Sequence, residues 1–177
     1  MNNKVIISLS EDKCKNEAVS RFFGSPTVPG EWFDEELFSE SEVFVCQIAL
    51  ADYTDFGGYG LFPTDGYIYF FFDTQDGENP LRIRFFGEDP DTVVEDFNES
   101  VDFDLPKKEY SVRFYKDGES GVIGSFISSA EDAGDDLVLF DFTNADPKIF
   151  GFLGDKKKIV ISKKALSKLC FDQAKLI

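Results

Sequence analysis

Histidine is absent from this chain of 177 residues, and cysteine occurs only three times. Without imidazole, the chain lacks the usual general base, the Ser-His and Cys-His nucleophile pairs and the most common nitrogen ligand of metals. Cys14, Cys46 and Cys170 lie far apart and have no Cys-x-x-Cys spacing, which argues against a structural zinc site. We therefore expect no bound metal and no cofactor, and the sequence favours a role other than catalysis.

Positive charge is also scarce, because 18 lysines and arginines face 34 acidic residues and leave a net charge of −16. Seven of the lysines lie in residues 156–177, so the rest of the chain is more acidic still. A field of this sign repels phosphate backbones, which predicts that the protein binds neither DNA nor RNA. It favours a basic protein partner or a cation, whereas the plainer alternative is that the charge serves only solubility.

Long apolar runs are missing too, and no stretch approaches the roughly 20 residues of a membrane helix. The apolar run near the N-terminus is too short for the core of a signal peptide. An odd number of widely spaced cysteines fits reduced, mostly buried thiols better than a set of disulfides. We expect a cytoplasmic protein that is not attached to a membrane.

Phenylalanine is the residue type in excess, with 21 copies, and 42% of all residues are hydrophobic. Large rings suit the half-buried faces of pleated sheets, so the composition favours a β-rich fold. The length corresponds to one domain, residues 1–177. The predicted class is α+β, with mixed or antiparallel sheets and a few short helices.

Apolar and alternating patterns predict the strands. The run at 43–50 is apolar almost throughout and predicts a strand buried on both faces, and the aromatic run at 67–72 gives the strongest strand signal. Alternation at 81–86 predicts a second strand in a hairpin with it, with Arg82 and Arg84 on one face. Further strands are predicted at 110–115, 137–142 and 158–161, with a strand or an irregular stretch at 121–127 and a strand or helix entry at 5–8.

The first helix is predicted over 9–22, because apolar residues recur there at every fourth position and a capping box stands at 8–11. The recurring residues are Cys14, Ala18 and Phe22. A shorter helix is predicted through residue 97, opened by Asp89-Pro90.

A last helix is predicted after Ser162, which is placed to cap it. Its apolar side would hold Leu166, Leu169 and Cys170. Residues 31–42 contain six acids and are predicted as a solvated loop or a single helical turn. Residues 51–66 are predicted as a loop that closes in a turn at Gly66.

The order of elements predicts an internal duplication, with related halves at 21–86 and 118–177. The apolar strand at 44–48 resembles the one at 138–142, and another strand follows each of them.

Three motifs follow one another in the first half. A Gly-x-Pro-x-x-Pro segment runs into a tryptophan, an apolar strand carries a glutamine, and a Pro-x-x-Gly turn precedes an aromatic strand. The residues that carry them are Gly24, Pro26, Pro29 and Trp32, then Gln47 within 44–48, then Pro63, Gly66, Ile68, Phe70 and Phe71. Together they resemble the bacterial YwqG family, also called the DUF1963 domain, and a weaker second copy stands at 138–142.

The resemblance implies a β-roll of mixed sheets with short helices and no established activity. It marks Gly24, Pro26, Pro29, Pro63 and Gly66 as motif residues, which we interpret as structural. The chain departs from the family pattern at three positions, where the family commonly has glycine, proline and glutamine. They are Ser25, Phe33 and Asp141.

Four side chains are candidates for ligand binding. Arg82 and Arg84 could clamp a carboxylate or a phosphate, or they could pair with neighbouring acids. Gln47 lies in a strand that looks buried, so its amide needs hydrogen-bond partners. They could come from a ligand or from the backbone of the Gly-x-Pro-x-x-Pro stretch that runs from Gly24 to Trp32, here called the Gly-Pro segment. Trp32 ends that segment and is either a packing anchor or one wall of a cleft.

Two other patterns are weaker candidates. The acidic turns at 73–78 and 131–136 lack the spacing of an EF-hand. Glycines at 118, 121 and 124 are not followed by a helix signal, so they predict a hairpin or bulge and not a phosphate-binding loop.

The function favoured by the sequence is a non-enzymatic binding protein whose acidity steers it to a basic partner, as in a toxin-neutralising immunity protein. The alternative is a small-molecule binder or an enzyme that uses a cleft near Trp32, Gln47, Arg82 and Arg84.

Overall fold

A computed structural model describes residues 4–14, 18–55, 62–116, 125–127 and 135–177. The strands are β1 (Lys4–Ser10), β2 (Arg21–Phe22), β3 (Thr27–Val28), β4 (Glu42–Ala49), β5 (Tyr67–Asp73), β6 (Leu81–Phe86), β7 (Thr92–Val93), β8 (Tyr110–Lys116), β9 (Ser125–Ile127), β10 (Asp136–Asp141), β11 (Lys158–Ser162) and β12 (Lys175–Leu176). The α-helices are α1 (Glu31–Asp34), α2 (Leu50–Asp55), α3 (Pro147–Phe150) and α4 (Lys163–Leu166), and 3-10 turns lie at Gly151–Leu153 and Phe171–Gln173.

Most of the strands form one sheet, in the order β12-β11-β10-β9-β1-β8-β2-β4-β5-β6. Each neighbouring pair in this sheet is antiparallel. We call β2, β4, β5 and β6 the first wing, and β9, β10, β11 and β12 the second wing. The short strands β3 and β7 pair separately. The predicted β-rich α+β class, with antiparallel sheets and a few short helices, is confirmed.

The two wings pack against each other across one apolar core. Phe70 of β5 meets Phe140 of β10 edge-to-face, with ring centroids 4.8 Å apart. Phe85 of β6 lies 6.2 Å from Phe171, measured between ring centroids. Because strands far apart in the sheet order make these contacts, the sheet is curled so that its wings face each other. Each large apolar side chain buried in this way contributes about 1.5–3 kcal/mol.

A second apolar layer covers the opposite, outer face of the first wing. Trp32, Phe44, Tyr69 and Phe71 are buried in it. Since this layer lies on one side of β4 and the inner core on the other, all eight residues of β4 are buried. The prediction of a strand buried on both faces is confirmed.

The predicted helix over 9–22 is wrong. Residues 8–10 belong to β1, so no helix begins at the proposed capping box, and Arg21–Phe22 forms β2 between β4 and β8. Phe22 is buried because its strand delivers it to the core between the wings. The recurrence of apolar residues at every fourth position is not a helical face, and long-range strand pairing overrides this weak local signal.

Two predictions in the first half are also corrected. The segment 51–66, predicted as a loop, begins inside α2, where Leu50 and Tyr53 are buried three residues apart on one side. The helix predicted after Asp89-Pro90 is wrong, because Thr92–Val93 forms β7 and pairs with β3. Thr92 and Val93 are β-branched, which favours extended backbone.

The last helix is shorter than predicted. Ser162 does cap α4, since its Oγ accepts a hydrogen bond from the Ala165 backbone N–H at 3.1 Å. The helix ends at Leu166, and Leu169 adopts a left-handed φ of +55° and is exposed. The assignment of Leu169 to the apolar side is therefore wrong, because a left-handed residue turns the chain out of the helix.

The remaining strand predictions are confirmed to within one residue. They are the strands predicted at 43–50, 67–72, 81–86, 110–115, 137–142 and 158–161. The predicted hairpin is formed by β5 and β6, and α1 is the single helical turn predicted within 31–42. Helix α3 and strand β12 were not predicted.

The strand order is symmetric about the central pair β1 and β8. Outward from the centre, the first wing runs β2, β4, β5, β6, and the second runs β9, β10, β11, β12. The wings fall within the halves 21–86 and 118–177, and β4 and β10, the two similar apolar strands, occupy equivalent places. The duplication itself stays a prediction.

Candidate functional site

Three of the four candidate ligand residues meet around one tyrosine. On the outer face of the first wing, Gln47 of β4, Tyr69 of β5 and Arg84 of β6 lie directly opposite one another. Trp32 packs edge-to-face on Tyr69, with ring centroids 5.2 Å apart. Arg82 lies one row further along β6. Sequence reasoning missed Tyr69, although its place inside the aromatic strand was a usable signal.

The Gln47 side chain is fully buried and forms two hydrogen bonds to backbone atoms. Its Oε1 accepts from the Thr27 N–H at 2.9 Å, and its Nε2 donates to the Val19 carbonyl at 2.8 Å. Tyr69 donates its hydroxyl hydrogen to the Thr27 carbonyl at 2.9 Å. The Gly-Pro segment thus supplies one of the partners that the buried amide requires, the residue before β2 supplies another, and the amide joins both stretches to the sheet.

Arg84 is held by a bidentate ion pair. Its Nη1 and Nη2 lie 2.8 and 2.9 Å from the two carboxylate oxygens of Glu42, whose side chain is 3% exposed. Nη2 also donates to the Leu37 carbonyl at 2.7 Å. The guanidinium carbon lies 4.9 Å from the ring centroids of Phe38 and Phe71. The carboxylate of Glu42 thus takes the fork of the guanidinium, and two neighbouring aromatic rings contact the same group.

Arg82 pairs with the acidic turn that joins β5 to β6. Its Nη2 lies 3.2 Å from Asp73 and 2.9 Å from Asp76. The pKa of Asp76 is lowered by hydrogen bonds from the Asn79 backbone and from Arg82. The acids at this turn are therefore held ionised by a cation of the same chain.

Trp32 is a buried packing residue. It is only 6% exposed to solvent. Besides Tyr69, its ring contacts Phe38 and Phe86, with centroids 6.1 Å away in both cases. The four candidate residues thus share one face, but they form a packed layer under the Gly-Pro segment.

Two motif glycines occupy places that other residues would not fit. Gly24 has a φ of +74°, and a Cβ there would lie 2.8 Å from the Cβ of Glu109. Gly66 has a φ of +95°, and its Cβ would lie 2.5 Å from the carbonyl oxygen of Phe86. Both positions combine a left-handed backbone with close contact to neighbouring atoms, and glycine is the residue that meets both requirements.

The motif prolines support the path of the Gly-Pro segment. Pro26 accepts a hydrogen bond from the Val94 N–H at 2.9 Å, and Pro29 accepts one from the Trp32 N–H at 3.1 Å. Both prolines are buried, and Pro63 is half-buried before the turn at Gly66. These contacts agree with our interpretation of the motif residues as structural.

A cleft of about 660 Å³ opens beside the Gly-Pro segment. Gly24 and Ser25 line one side of it, and the loop at 96–107 lines the rest. Its lining includes the acidic residues Asp96, Glu99 and Asp102. None of the four candidate ligand residues reaches this cleft.

The strongest chemical feature is a charge asymmetry that sequence reasoning did not localise. Residues 22–106, here called the acidic segment, contain 20 acidic residues, no lysine and two arginines, a net charge of −18. All 22 charged residues of this segment lie in the described part of the chain. A count of charges along the chain would have found it.

Ion pairing leaves most of this charge exposed. Three of the 20 acids, Glu42, Asp73 and Asp76, are not exposed, and these are the three that pair with Arg84 and Arg82. The other 17 are exposed. Across the described parts of the chain, none of these 17 carboxylates forms an ion pair.

Charge of the opposite sign is concentrated in the second wing. Residues 156–177, which contain β11, α4 and β12, hold seven lysines and one acid. Lys158 pairs with Asp141 of the neighbouring strand at 3.5 Å. The molecule therefore presents an acidic first wing and a lysine-rich strand pair at the end of the second.

Metal-binding geometry is not found in the part of the chain that the structure covers, where no group of three suitable ligands comes together. The turn at 73–78 uses Asp73 and Asp76 for Arg82. Most of the second acidic turn and the glycines at 118, 121 and 124 lie outside the described residues.

The cysteines are all unpaired. Cys46 is buried, and burial raises the pKa of its thiol well above the ordinary value. Cys14 and Cys170 are half-buried. A thiol with a raised pKa is a poor nucleophile, so Cys46 is a packing residue.

No family model fits the chain, and no curated protein matches it significantly. The resemblance to the YwqG family therefore stays a prediction. Among the helices in the described ranges, none has the length and apolar character needed to cross a membrane.

Proposed function

We propose that this protein is a non-enzymatic binding protein whose acidic segment engages a basic protein partner. The observation that carries the proposal is the set of 17 exposed carboxylates without ion pairs in the described structure. Charge this dense opposes folding through self-repulsion, and a partner of opposite charge would relieve that cost. A toxin-neutralising immunity protein works in this way, and a basic toxin is one class of partner that fits.

A dense surface charge gives such a protein fast association with its partner and selectivity among possible partners. A concentrated field of one sign raises the rate of encounter with a cation-rich surface and repels nucleic acids and acidic proteins. The two arginines of the segment do not weaken this field at the surface, because each is matched by acids that are themselves not exposed. The proposal places the protein in the cytoplasm, and its three unpaired cysteines support that location.

The alternative of a small-molecule site at Trp32, Gln47, Arg82 and Arg84 has less support. The amide and both guanidinium groups already bond to atoms of the chain. A ligand there would have to displace these contacts, and the Glu42 carboxylate would then be left without its cation in a buried place.

The test is partner capture followed by titration. Tagged protein is exposed to native lysate at about 50 mM salt, a range in which charge attraction is weakly screened, and eluted at about 500 mM. The captured protein is identified, purified and titrated by calorimetry. We expect one basic partner whose affinity falls at least about tenfold over that salt range. Affinity that does not change with salt would overturn the proposal.

Two matched variants locate the interaction. The first changes Glu35→Gln, Glu40→Gln, Glu95→Gln and Glu99→Gln in the acidic segment, and the control changes Asp135→Asn, Asp136→Asn, Asp155→Asn and Asp172→Asn in or beside the second wing. All eight residues are exposed. We expect the first variant to lose about tenfold in affinity and the control to stay within about twofold. Equal effects would contradict the role of the acidic segment.

A further inference from the structure

Helix α1 and the turn after it expose two large apolar side chains in the middle of the acidic segment. Phe33 is 42% exposed and Leu37 is 40% exposed. In the described chain, the other large apolar residues with comparable exposure are Leu169 and Ile177, which lie far along the chain in the lysine-rich end. We call Phe33, Leu37 and the acids that flank them the α1 patch.

The exposed aromatic ring of the α1 patch packs against other aromatic residues of the outer layer. The Phe33 ring lies 5.3 Å from Phe38, measured between centroids. Phe38 in turn contacts Phe71 at 5.2 Å and Phe97 at 5.3 Å, and the Arg84 guanidinium lies over it. An exposed ring fixed in this way loses little conformational freedom on binding, as do aromatic anchors of protein interfaces.

The backbone of the patch is fixed as well. Glu36 has a left-handed φ of +51°, its N–H donates to the Phe33 carbonyl and the Leu37 N–H donates to the Trp32 carbonyl, both at 3.1 Å. This is the hydrogen-bond pattern of a Schellman turn. Arg84 clamps the far side through its 2.7 Å bond to the Leu37 carbonyl.

The rim of the patch is acidic. The flanking residues that are exposed and make no ion pair within the described chain are Glu31, Asp34, Glu35, Glu36 and Glu40. An apolar centre with a charged rim is the arrangement of a protein interface, in which the centre supplies affinity and the rim supplies selectivity.

We propose that the α1 patch is the docking surface for a basic segment of the partner, one that carries large apolar side chains between lysines or arginines. This proposal rests on the proposed function and adds the location of the binding surface and the kind of partner segment that it binds. Charge complementarity selects this occupant. Five unpaired carboxylates around two apolar side chains repel an acidic surface, lose hydration without compensation against a purely apolar one, and attract one with cations beside its anchors.

The experiment uses the full chain and two labelled peptides of equal charge. One alternates lysine with leucine on one helical face, and the other has serine in place of leucine. Fluorescence anisotropy at about 50 mM salt measures both affinities. We expect the lysine–leucine peptide to bind at least about tenfold more tightly than the lysine–serine peptide.

Surface variants identify the patch. The double variant Phe33→Ser with Leu37→Ser should bind both peptides equally, and the matched control Leu169→Ser with Ile177→Ser should retain the wild-type preference. Leu37→Ser alone, which leaves the Phe33 ring in place, should lose part of the preference and guards against misfolding of the double variant. Thermal unfolding monitors the fold of each variant.

The outcomes separate the two proposals. If both peptides bind the wild type equally and in a salt-dependent way, the docking proposal is overturned while the acidic binding protein stands. If neither peptide binds at low salt, both are overturned. If sedimentation at low salt shows self-association that the Phe33→Ser and Leu37→Ser changes abolish, the occupant is the lysine-rich end of a second copy, and our choice of partner is wrong.

Discussion

Arg82 and Arg84 lie two positions apart on one face of β6, yet their ion pairs differ in exposure. The side chains of Arg84 and Glu42 are 16% and 3% exposed, whereas the Arg82 side chain is 31% exposed beside Asp73 and Asp76. A buried charge that loses its partner is costly, but a pair near water contributes little. The two arginines therefore provide an internal comparison.

Replacing each arginine by methionine should separate these cases. Arg84→Met leaves the Glu42 carboxylate buried without a cation, so we expect the free energy of unfolding to fall by about 3 kcal/mol. Arg82→Met should lower it by about 1 kcal/mol or less. Urea denaturation at neutral pH measures both values. Equal losses would show that leaving the Glu42 carboxylate without its cation costs no more than breaking the more exposed pair.

Asp73 links stability to pH. Burial alone would raise the pKa of Asp73, but hydrogen bonds from Ser41 and the Gln75 N–H, with the charge of Arg82, outweigh it and lower the pKa. The folded chain thus holds this proton less tightly than the unfolded chain, where the pKa is about 4. The stabilisation is complete above that pH and is lost as the pH falls below it.

The variant Asp73→Asn keeps the shape of the side chain and removes its titration. We expect it to be less stable than the wild type at pH 7, with the difference shrinking as the pH falls from about 4 towards 2. Urea denaturation at a series of pH values gives the curve. A difference that stays constant across this range would show that the carboxylate charge at Asp73 does not stabilise the fold.

At the scale of the element, the Gly-Pro segment and α1 act as one cover for the first wing. The segment bonds to Gln47, Tyr69 and Val94, and Trp32 fills the space beneath it. Its neighbour Phe33 points outward. One turn of helix thus carries a packing residue and an exposed residue side by side.

Trp32→Ala and Phe33→Ala should therefore differ. Loss of the buried ring at Trp32 should lower the free energy of unfolding by about 3–5 kcal/mol, because it removes apolar burial and leaves a cavity. Phe33→Ala should cost about 1 kcal/mol or less. Thermal and urea unfolding test both. If Trp32→Ala kept full stability and abolished partner binding, the packing role of Trp32 would be wrong.

At the scale of the molecule, each central strand pairs with the wing that does not follow it in the sequence. β1 precedes the first wing in the chain but lies between β8 and β9 of the second wing, and β8 precedes the second wing but lies between β1 and β2 of the first wing. Neither wing can complete its sheet alone, although the wings occupy separate stretches of sequence. The exchange should make the chain one cooperative unit.

We expect a single unfolding transition. Trp32 is the sole tryptophan, so its fluorescence reports on the first wing, whereas far-UV circular dichroism reports on the whole sheet. The two signals should change at the same urea concentration and with the same slope. A fluorescence transition separated from the circular dichroism transition would show that the wings unfold independently.

Strands and helices were not equally predictable. The strands at 67–72 and 81–86 could be predicted from residue composition and from the alternation of apolar and polar residues, because the strand signals there are strong and local. The helix at 9–22 did not form, since β2 gains more from pairing with β4 and β8 than from a helical turn. For the candidate residues, sequence placed Arg82 and Arg84 on one face but could not assign their partners, because Glu42 is some forty residues away from Arg84.

The sequence by itself determined the charge, the absence of histidine, the strand-rich class and the separation of acidic and lysine-rich stretches, because these follow from composition and short-range pattern. Only the tertiary structure decided that Gln47 and the arginines are committed to internal partners, that 17 carboxylates stay exposed, and that Phe33 and Leu37 remain uncovered among them. Burial and pairing depend on which distant strands meet, and the contacts that settle this are made only when the sheet closes on itself.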